Sequence, residues 1–322
     1  MPEPKVFIAG GAGFIGSHFA DHLLSCTSSA VTVFDNLTSG RRWHLQEHMG
    51  SPRLSVVEGD LQDLEAVSSA LRGHDLVYHF ASNPEIAKAV TQPDTDFWQG
   101  TYLTQNLLEA MRLNGVGTLL YASGSGVYGD TGLSAVHEDF APLMPISTYG
   151  ASKLACEALI SAYCYMFDMQ AYVFRLANAV GRRQTHGVAY DFIRKLRRDP
   201  HHLEILGDGT QSKSYIHVSD IVSAIQHVFR PVPNRFNYYN VATDDYLDVL
   251  TIAQLVIEAM GLSDVTLRFT GGKRGWKGDV PVVRLDLQKI HASGWRASLS
   301  SREAMQRAVR ELLLDLLSEQ CD

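Results

Sequence analysis

Two hydrophobic periods alternate through the first 180 residues. Short runs that are apolar throughout, KVFIAG (5–10), VTVFDN (31–36), LSVVEGD (54–60), DLVYHFA (75–81), TLLYAS (118–123) and AYVFRLANAVG (171–181), read as strands. Between them lie helix-period segments. FIGSHFADHLLS (14–25) puts Phe14, Ile15, His18, Phe19, His22 and Leu23 at helical spacing, and LEAVSSALRG (64–73) is stopped by Gly73. DTDFWQGTYLTQNLLEAMRLNG (94–115) and a segment from about Tyr149 to Phe167 predict two longer helices, the second capped by Ser147 or Thr148. Continuously apolar strands fit a sheet covered on both faces. Strand–helix alternation implies parallel pairing through crossover helices, so the predicted class is α/β with a doubly wound parallel sheet. Past residue 180 the alternation loosens into loops rich in Gly, Arg and Pro: 181–187, 206–215 and 270–279. A first domain over 1–180, with some later segments returning to it, and a smaller, mainly C-terminal lobe over 181–322 that supplies a binding wall are expected.

Composition narrows the class further. At 45% apolar and 20% charged residues the 322-residue chain reads as an ordinary globular protein. No run of about 18 apolar residues predicts a membrane span, and MPEPKVFIAG lacks the basic start and apolar stretch of a secretory signal. A net charge of −7 without a basic stripe argues against nucleic acid as a partner. Cys26, Cys156, Cys164 and Cys321 form no CxxC pair and read as reduced thiols of a cytoplasmic protein. None of the 13 histidines falls in a metal-ligand spacing, and His201-His202 reads as solvated loop, so no metal is expected.

GGAGFIG (10–16) follows the first predicted strand and opens the first helix. Gly11, Gly13 and Gly16 satisfy GxGxxG, and Gly10 extends the run. Glycines let the main chain turn tightly and approach a pyrophosphate, which then sits at the helix N-terminus with Phe14 and Ile15 in its first turn. Alone the motif is weak. Its context, strand before and helix after, with Asp35 ending the second strand, makes it a dinucleotide fingerprint of the Rossmann type. A carboxylate at Asp35 accepts from an adenosine ribose and repels a 2′-phosphate, which favours NAD over NADP. Asn36 adjoins it, EGDLQD (58–63) places Asp60 and Leu61 beside the adenine, and HFAS (79–82) carries Phe80, Ala81 and Ser82 past the dinucleotide. Arg41 and Arg42 read as a solvated loop pair.

Tyr149 and Lys153 stand four apart, on one helical face. A nearby ammonium favours a phenolate, which takes a proton from a carbinol while the carbon is oxidised by nicotinamide. YASGSG (121–126) lies just upstream and offers Ser123 and Ser125 at the end of a strand.

Taken together, GGAGFIG, Asp35, YASGSGVYG, YGASK and LANAVG resemble an extended short-chain dehydrogenase/reductase, over nearly the whole chain. Within that family the sequence is most similar to the UDP-glucose/UDP-galactose 4-epimerases. The resemblance implies NAD as cofactor, a UDP-sugar as substrate, and a homodimer joined by the helices about 94–114 and 149–167. It implies Tyr149 as acid/base and Lys153 as its ribose-binding partner, with Ser123 and Ser125 beside the sugar. Asn178 would hold sugar or pyrophosphate, and Lys213 and Arg274 the phosphates, beside Asp279. Val188, Tyr190, Phe192, Tyr215 and the stretch Leu206–Gln211 would wall the nucleotide; core packing accounts equally well for the aromatic residues.

The match breaks at particular residues. Relatives commonly carry Ser or Thr where Gly124 stands, and strand neighbours Ser123 and Ser125 do not project to that face unless a turn re-aims one of them. Gly100 replaces a frequent asparagine, and Leu176-Ala177 an aromatic pair. Arg182-Arg183 follows Gly181 where proline is common; an arginine there can pair with a sugar carboxylate, which opens UDP-glucuronate 4-epimerisation or decarboxylation as alternatives. A 4,6-dehydratase needs an acidic pair where Ser125 and Gly126 stand, which disfavours it. A noncatalytic NAD-binding regulatory protein is the remaining alternative, and the intact Tyr149/Lys153 pair argues against it.

Overall fold

In the computed structural model, residues 4–230 and 232–318 are described. In chain order the elements are β1 (Lys5–Ala9), α1 (Phe14–Cys26), β2 (Ala30–Asp35), β3 (Leu54–Glu58), α2 (Leu64–Leu71) and β4 (Leu76–His79). A π-helical turn, Phe97–Tyr102, leads into α3 (Leu103–Asn114), followed by β5 (Thr118–Gly124), α4 (Thr148–Met166), β6 (Gln170–Leu176) and β7 (Asn178–Val180). The remainder holds α5 (Val188–Arg198), β8 (His202–Ile205), β9 (Ser212–Lys213), β10 (Tyr215–His217), α6 (Val218–Val228), β11 (Phe236–Val241), β12 (Leu247–Asp248), α7 (Val249–Ala259), β13 (Thr266–Phe269), α8 (Gln288–Ala292) and α9 (Ser301–Ser318).

The chain divides into two compact units, each assembled from three segments. The first comprises 1–124, 148–175 and 229–239, and the second 125–147, 176–228 and 240–322. Residues 229–239 are a later segment returning to the first unit, as expected, whereas 125–147, expected in the first domain, belong to the second. The run 171–181 is likewise two strands, β6 and β7, in different sheets.

The first unit is a seven-stranded parallel sheet of order β11-β6-β5-β4-β1-β2-β3, with flanking helices. Val6 of β1 lies opposite Val31 on one side and Leu76 on the other. Its central strands are buried along nearly their whole length, as apolar runs facing helices on both sides must be. Helix ends follow local chemistry. The Asp63 carboxylate caps α2 by accepting from Ala66 N at 3.0 Å, and α3 stops at Gly115 with φ +69°. Thr148 is the first residue of α4, yet its hydroxyl donates to Asp96 at 2.7 Å and does not cap the helix.

The second unit carries three small strand pairs: β7 with β10 and β8 with β13, both parallel, and β9 with β12, antiparallel. Its core gathers α5, α7 and α9 through Phe192, Ile193, Ile252, Val256, Met305 and Val309. Among the described residues Cys26, Cys156 and Cys164 are free; Cys321 lies outside them. No described helix is long and apolar enough to cross a membrane, and no described cluster of His, Cys, Asp or Glu can hold a metal ion.

Candidate active site

The turn between β1 and α1 is shaped by the absence of side chains. Gly10 has φ +76°, and a Cβ on it would lie 2.5 Å from Ala81 N. A Cβ on Gly16 would lie 2.2 Å from Gly10 O, so only glycine lets the helix start this close to the strand end. Gly13 caps α1 without a side-chain hydrogen bond. The N–H groups of Phe14, Ile15 and Gly16 therefore have no intrahelical acceptor, and the positive end of the helix is open to an anion.

Asp35, at the end of β2, accepts from Ala12 N and Leu37 N, each at 2.9 Å. Burial pushes its pKa up, against backbone N–H groups of Leu37, Ala12 and Gly13 that pull it down. One carboxylate thus braces the glycine turn and keeps acceptor capacity for a diol. A cleft with about 830 Å³ of empty space opens beside it. Gly10, Gly13, Asp35, Asn36, Asp60, Leu61, Phe80, Ala81 and Ser82 all line it, as the sequence predicts. Phe14, Ile15 and Gly16 stand at the adjoining helix start. Asn36 donates to Asp60 at 3.1 Å and closes one wall. Sequence reasoning missed Phe34, Thr38, Ser39, Gly59, Gln62, Pro84, Gln99 and Leu103. Gly59 carried a signal: its Cβ would overlap the Phe34 ring at 2.5 Å. Arg42 pairs with Glu58 at 2.5 Å on the surface, as a solvated residue does.

Still within the first unit, Lys153 of α4 is 5% exposed and donates to Ala122 O of β5 at 2.9 Å. Its Nζ lies 5.7 Å from the Tyr149 ring centroid and 4.9 Å from that of Tyr121. Of these two phenols Tyr121 is buried, and burial holds its pKa well above the usual range, so it keeps its proton. Tyr149 is half-buried. Ser123 is corrected as a catalytic candidate. It is 4% exposed, and its hydroxyl donates inward to Glu157 at 2.5 Å.

Gly100, in the π-helical turn, packs against α4 with a Cβ position 2.3 Å from Ser152 Oγ. A side chain there would displace the Ser152 hydroxyl, which donates to Asp96 O at 2.7 Å.

In the second unit, β5 gives way at Ser125 to a 3-10 turn, Ser125–Tyr128, so the strand alternation ends there and Ser125 is half-buried. Lys213 pairs with Asp279 at 2.6 Å, and Arg274 with Asp130 at 2.6 Å. Arg274 also donates to Asp279 O. Asn178 donates to Ser214 O at 3.2 Å. Gln211 is buried and donates to Leu206 O, while its Oε1 has no hydrogen-bond partner among the described residues. Leu206 is exposed, and Val188 and Tyr190 pack at the margin of the core. Phe192 and Tyr215 are corrected: both lie inside the core cluster at 3% and 5% exposure, because each extends an apolar helix or strand face. Arg182 is held by Asp315 at 2.8 Å, and Arg183 N donates to the same carboxylate.

A glycine turn opening a helix, an acidic residue ending β2 and a tyrosine–lysine pair on a helix beside β5 define an NAD-binding oxidoreductase-like domain of the extended short-chain type. A sequence profile of the NAD dependent epimerase/dehydratase family matches residues 6–242, and the chain belongs to that family. Its cofactor is NAD, which the open helix start, the bare glycine turn and Asp35 fit. Among solved structures, a UDP-galactose 4-epimerase superposes with a TM-score of 0.87 at 38% identity, covering 97% of this chain and 99% of that one. The UDP-glucose 4-epimerase of Thermus thermophilus, in complex with NAD, gives 0.85 at 30% identity over 96% and 99%. A putative UDP-glucose 4-epimerase of Methanocaldococcus jannaschii is 27% identical over 94% of this chain and 97% of its own.

Proposed function

We propose that this enzyme is a nucleotide-sugar 4-epimerase of the UDP-glucose/UDP-galactose type. The observation that carries the reading is the half-buried Tyr149, with its ring 5.7 Å from the buried, carbonyl-anchored ammonium of Lys153. Bound NAD supplies a reversible two-electron acceptor. Tyr149 takes the proton of the sugar 4-hydroxyl as the carbon is oxidised, and returns it when the 4-keto sugar is reduced on the other face. Lys153 stabilises the phenolate throughout. Lys213 and Arg274 supply cations for the pyrophosphate, and Asn178 and Gln211 polar groups for the sugar nucleotide. The names of the similar solved structures, UDP-galactose and UDP-glucose 4-epimerase, support the substrate class.

Ser125-Gly126 offers no acid for eliminating water, which speaks against a dehydratase. Arg182 is paired with Asp315 just as Lys213 and Arg274 are paired with Asp279 and Asp130, so the uronate reading stands as the rival that the assay below separates. A homodimer fits the apolar surface beside α3 and on α4, where Phe97, Trp98, Tyr165 and Met166 are 49%, 45%, 66% and 71% exposed. The free cysteines agree with a cytoplasmic setting. The test is a product assay with UDP-glucose, UDP-N-acetylglucosamine and UDP-glucuronate. Interconversion of UDP-glucose and UDP-galactose without added reductant is expected. Faster turnover of the uronate, or a pentose product, would replace the reading by one of its rivals. No turnover of any of the three would favour a regulatory NAD-binding protein.

A further inference from the structure

Beneath the tyrosine–lysine pair lies a second charged pair whose role is not catalytic contact. Glu157 is one helical turn beyond Lys153 on α4, and Arg175 stands on β6. Both are 4% exposed. Arg175 grips the carboxylate through Nε at 3.1 and 3.2 Å and through a terminal nitrogen at 2.7 Å. Ser123 donates to the same carboxylate from β5. Residues four apart on a helix are side-chain neighbours, and a glutamate and a lysine so placed attract each other. Burial strengthens that attraction. Yet the Lys153 ammonium is bonded to Ala122 O, next to Ser123 in the chain.

We propose that Arg175 is a positioning residue that sequesters the Glu157 carboxylate, so that the Lys153 ammonium stays with Ala122 O and serves Tyr149. Three buried side chains then sum to a single positive charge, which the phenolate of Tyr149 neutralises. The other groups around the pair do not compete. His79 on β4 is pushed down to about 3 by burial and by Lys153, and so stays neutral. Tyr121 on β5 keeps its proton, Cys156 meets Thr104 at 3.1 Å, and the Asp96 carboxylate is taken by Asn83 and Thr148. Without Arg175, Glu157 would be a buried carboxylate one helical turn from Lys153, and the lysine would be drawn from the phenol toward it.

This inference rests on the catalytic reading of Tyr149, but its test does not need a substrate. The phenolate of Tyr149 is titrated by near-ultraviolet difference absorbance in the NAD-loaded protein, with Tyr149→Phe as the blank. Arg175→Met is expected to move the Tyr149 midpoint upward by about one to three pH units. Glu157→Gln, which leaves Lys153 and Arg175 both positive, should lower it, and Arg175→Met/Glu157→Gln should bring it back to the wild-type value. A merely structural pair predicts the opposite, with the double variant no better than Arg175→Met. That result, or an unmoved midpoint in Arg175→Met, overturns the proposal. If Arg175→Met does not fold, Arg175→Lys takes its place. Its single ammonium holds the carboxylate less firmly, so a smaller upward shift is expected, abolished by adding Glu157→Gln; no shift overturns the proposal. Failure of epimerisation with a restored midpoint would sink the substrate assignment and leave the sequestration standing.

Discussion

The glycine turn of the first unit and the cation pairs of the second are built on opposite plans. The turn works through main chain and missing side chains: Gly10 and Gly16 have no room for a Cβ, and the first-turn amides of α1 are already presented. Lys213 and Arg274 are each held by a carboxylate of their own unit, Asp279 and Asp130. A phosphate reaching these cations has to compete with an internal partner. The difference teaches that a preformed main-chain site loses little on binding, whereas the phosphate binding proposed at the cations would proceed by exchange and be sensitive to salt.

The largest expected effect separates binding from chemistry. Tyr149→Phe should lower kcat by about 10²- to 10⁴-fold and leave NAD retention unchanged, as measured by cofactor content after desalting. Ser125→Ala should cost less. Equal losses would mean that the 3-10 turn at Ser125 has re-aimed its hydroxyl to share the acid/base role.

Next comes the main-chain site itself. Gly16→Val would force the added atoms into Gly10 O and should weaken NAD binding by on the order of 100-fold, about 3 kcal/mol. Retention of NAD by that variant would break the contrast, since it would mean that the turn can yield as the ion pairs do.

Smaller effects belong to the exchangeable cations. Arg274→Ala or Lys213→Ala should raise KM for the nucleotide sugar by roughly 10-fold each with kcat little changed, and added salt should narrow the gap to wild type. An unchanged KM would remove these residues from the binding set.

The smallest is a stability effect in the second unit, away from the chemistry. Burial works to raise the pKa of Glu311 on α9, but hydrogen bonds from His217 and Arg307 outweigh it and bring it to about 2. A carboxylate whose folded pKa is depressed stabilises the protein above its unfolded value, and that contribution is lost as pH falls through the folded value. Thermal unfolding between about pH 4.5 and pH 2 should therefore be steeper for wild type than for Glu311→Gln. Parallel curves would rule this ion pair out as the source.

The same contrast explains what could be read from the sequence. Asp35 and the glycine turn were legible because main-chain geometry leaves few residue choices, and nine of the positions expected at the cofactor line one cleft. Tyr149 and Lys153 were legible because one helical turn connects them. Ser123 was misread because its partner, Glu157, is 34 residues away and shows no local periodicity with it. Phe192 and Tyr215 were misread because an aromatic residue on an apolar face looks the same whether it meets a ligand or the core. The placement of 125–147 in the second unit was hidden for a related reason. No change of composition marks the point at which the chain leaves the sheet.

That crossing has a consequence for how the protein is made. The edge of the seven-stranded sheet beyond β6 is closed by β11, whose first residue is Phe236. On the ribosome, the strands that build the cofactor cleft emerge early, but β6 keeps an unpaired edge until about 60 further residues have been synthesised, a delay of several seconds at ordinary elongation rates. During that interval it is a template for pairing with another nascent chain. Cotranslational yield should therefore depend on translation speed across residues 177–235 more than on any residue that touches NAD.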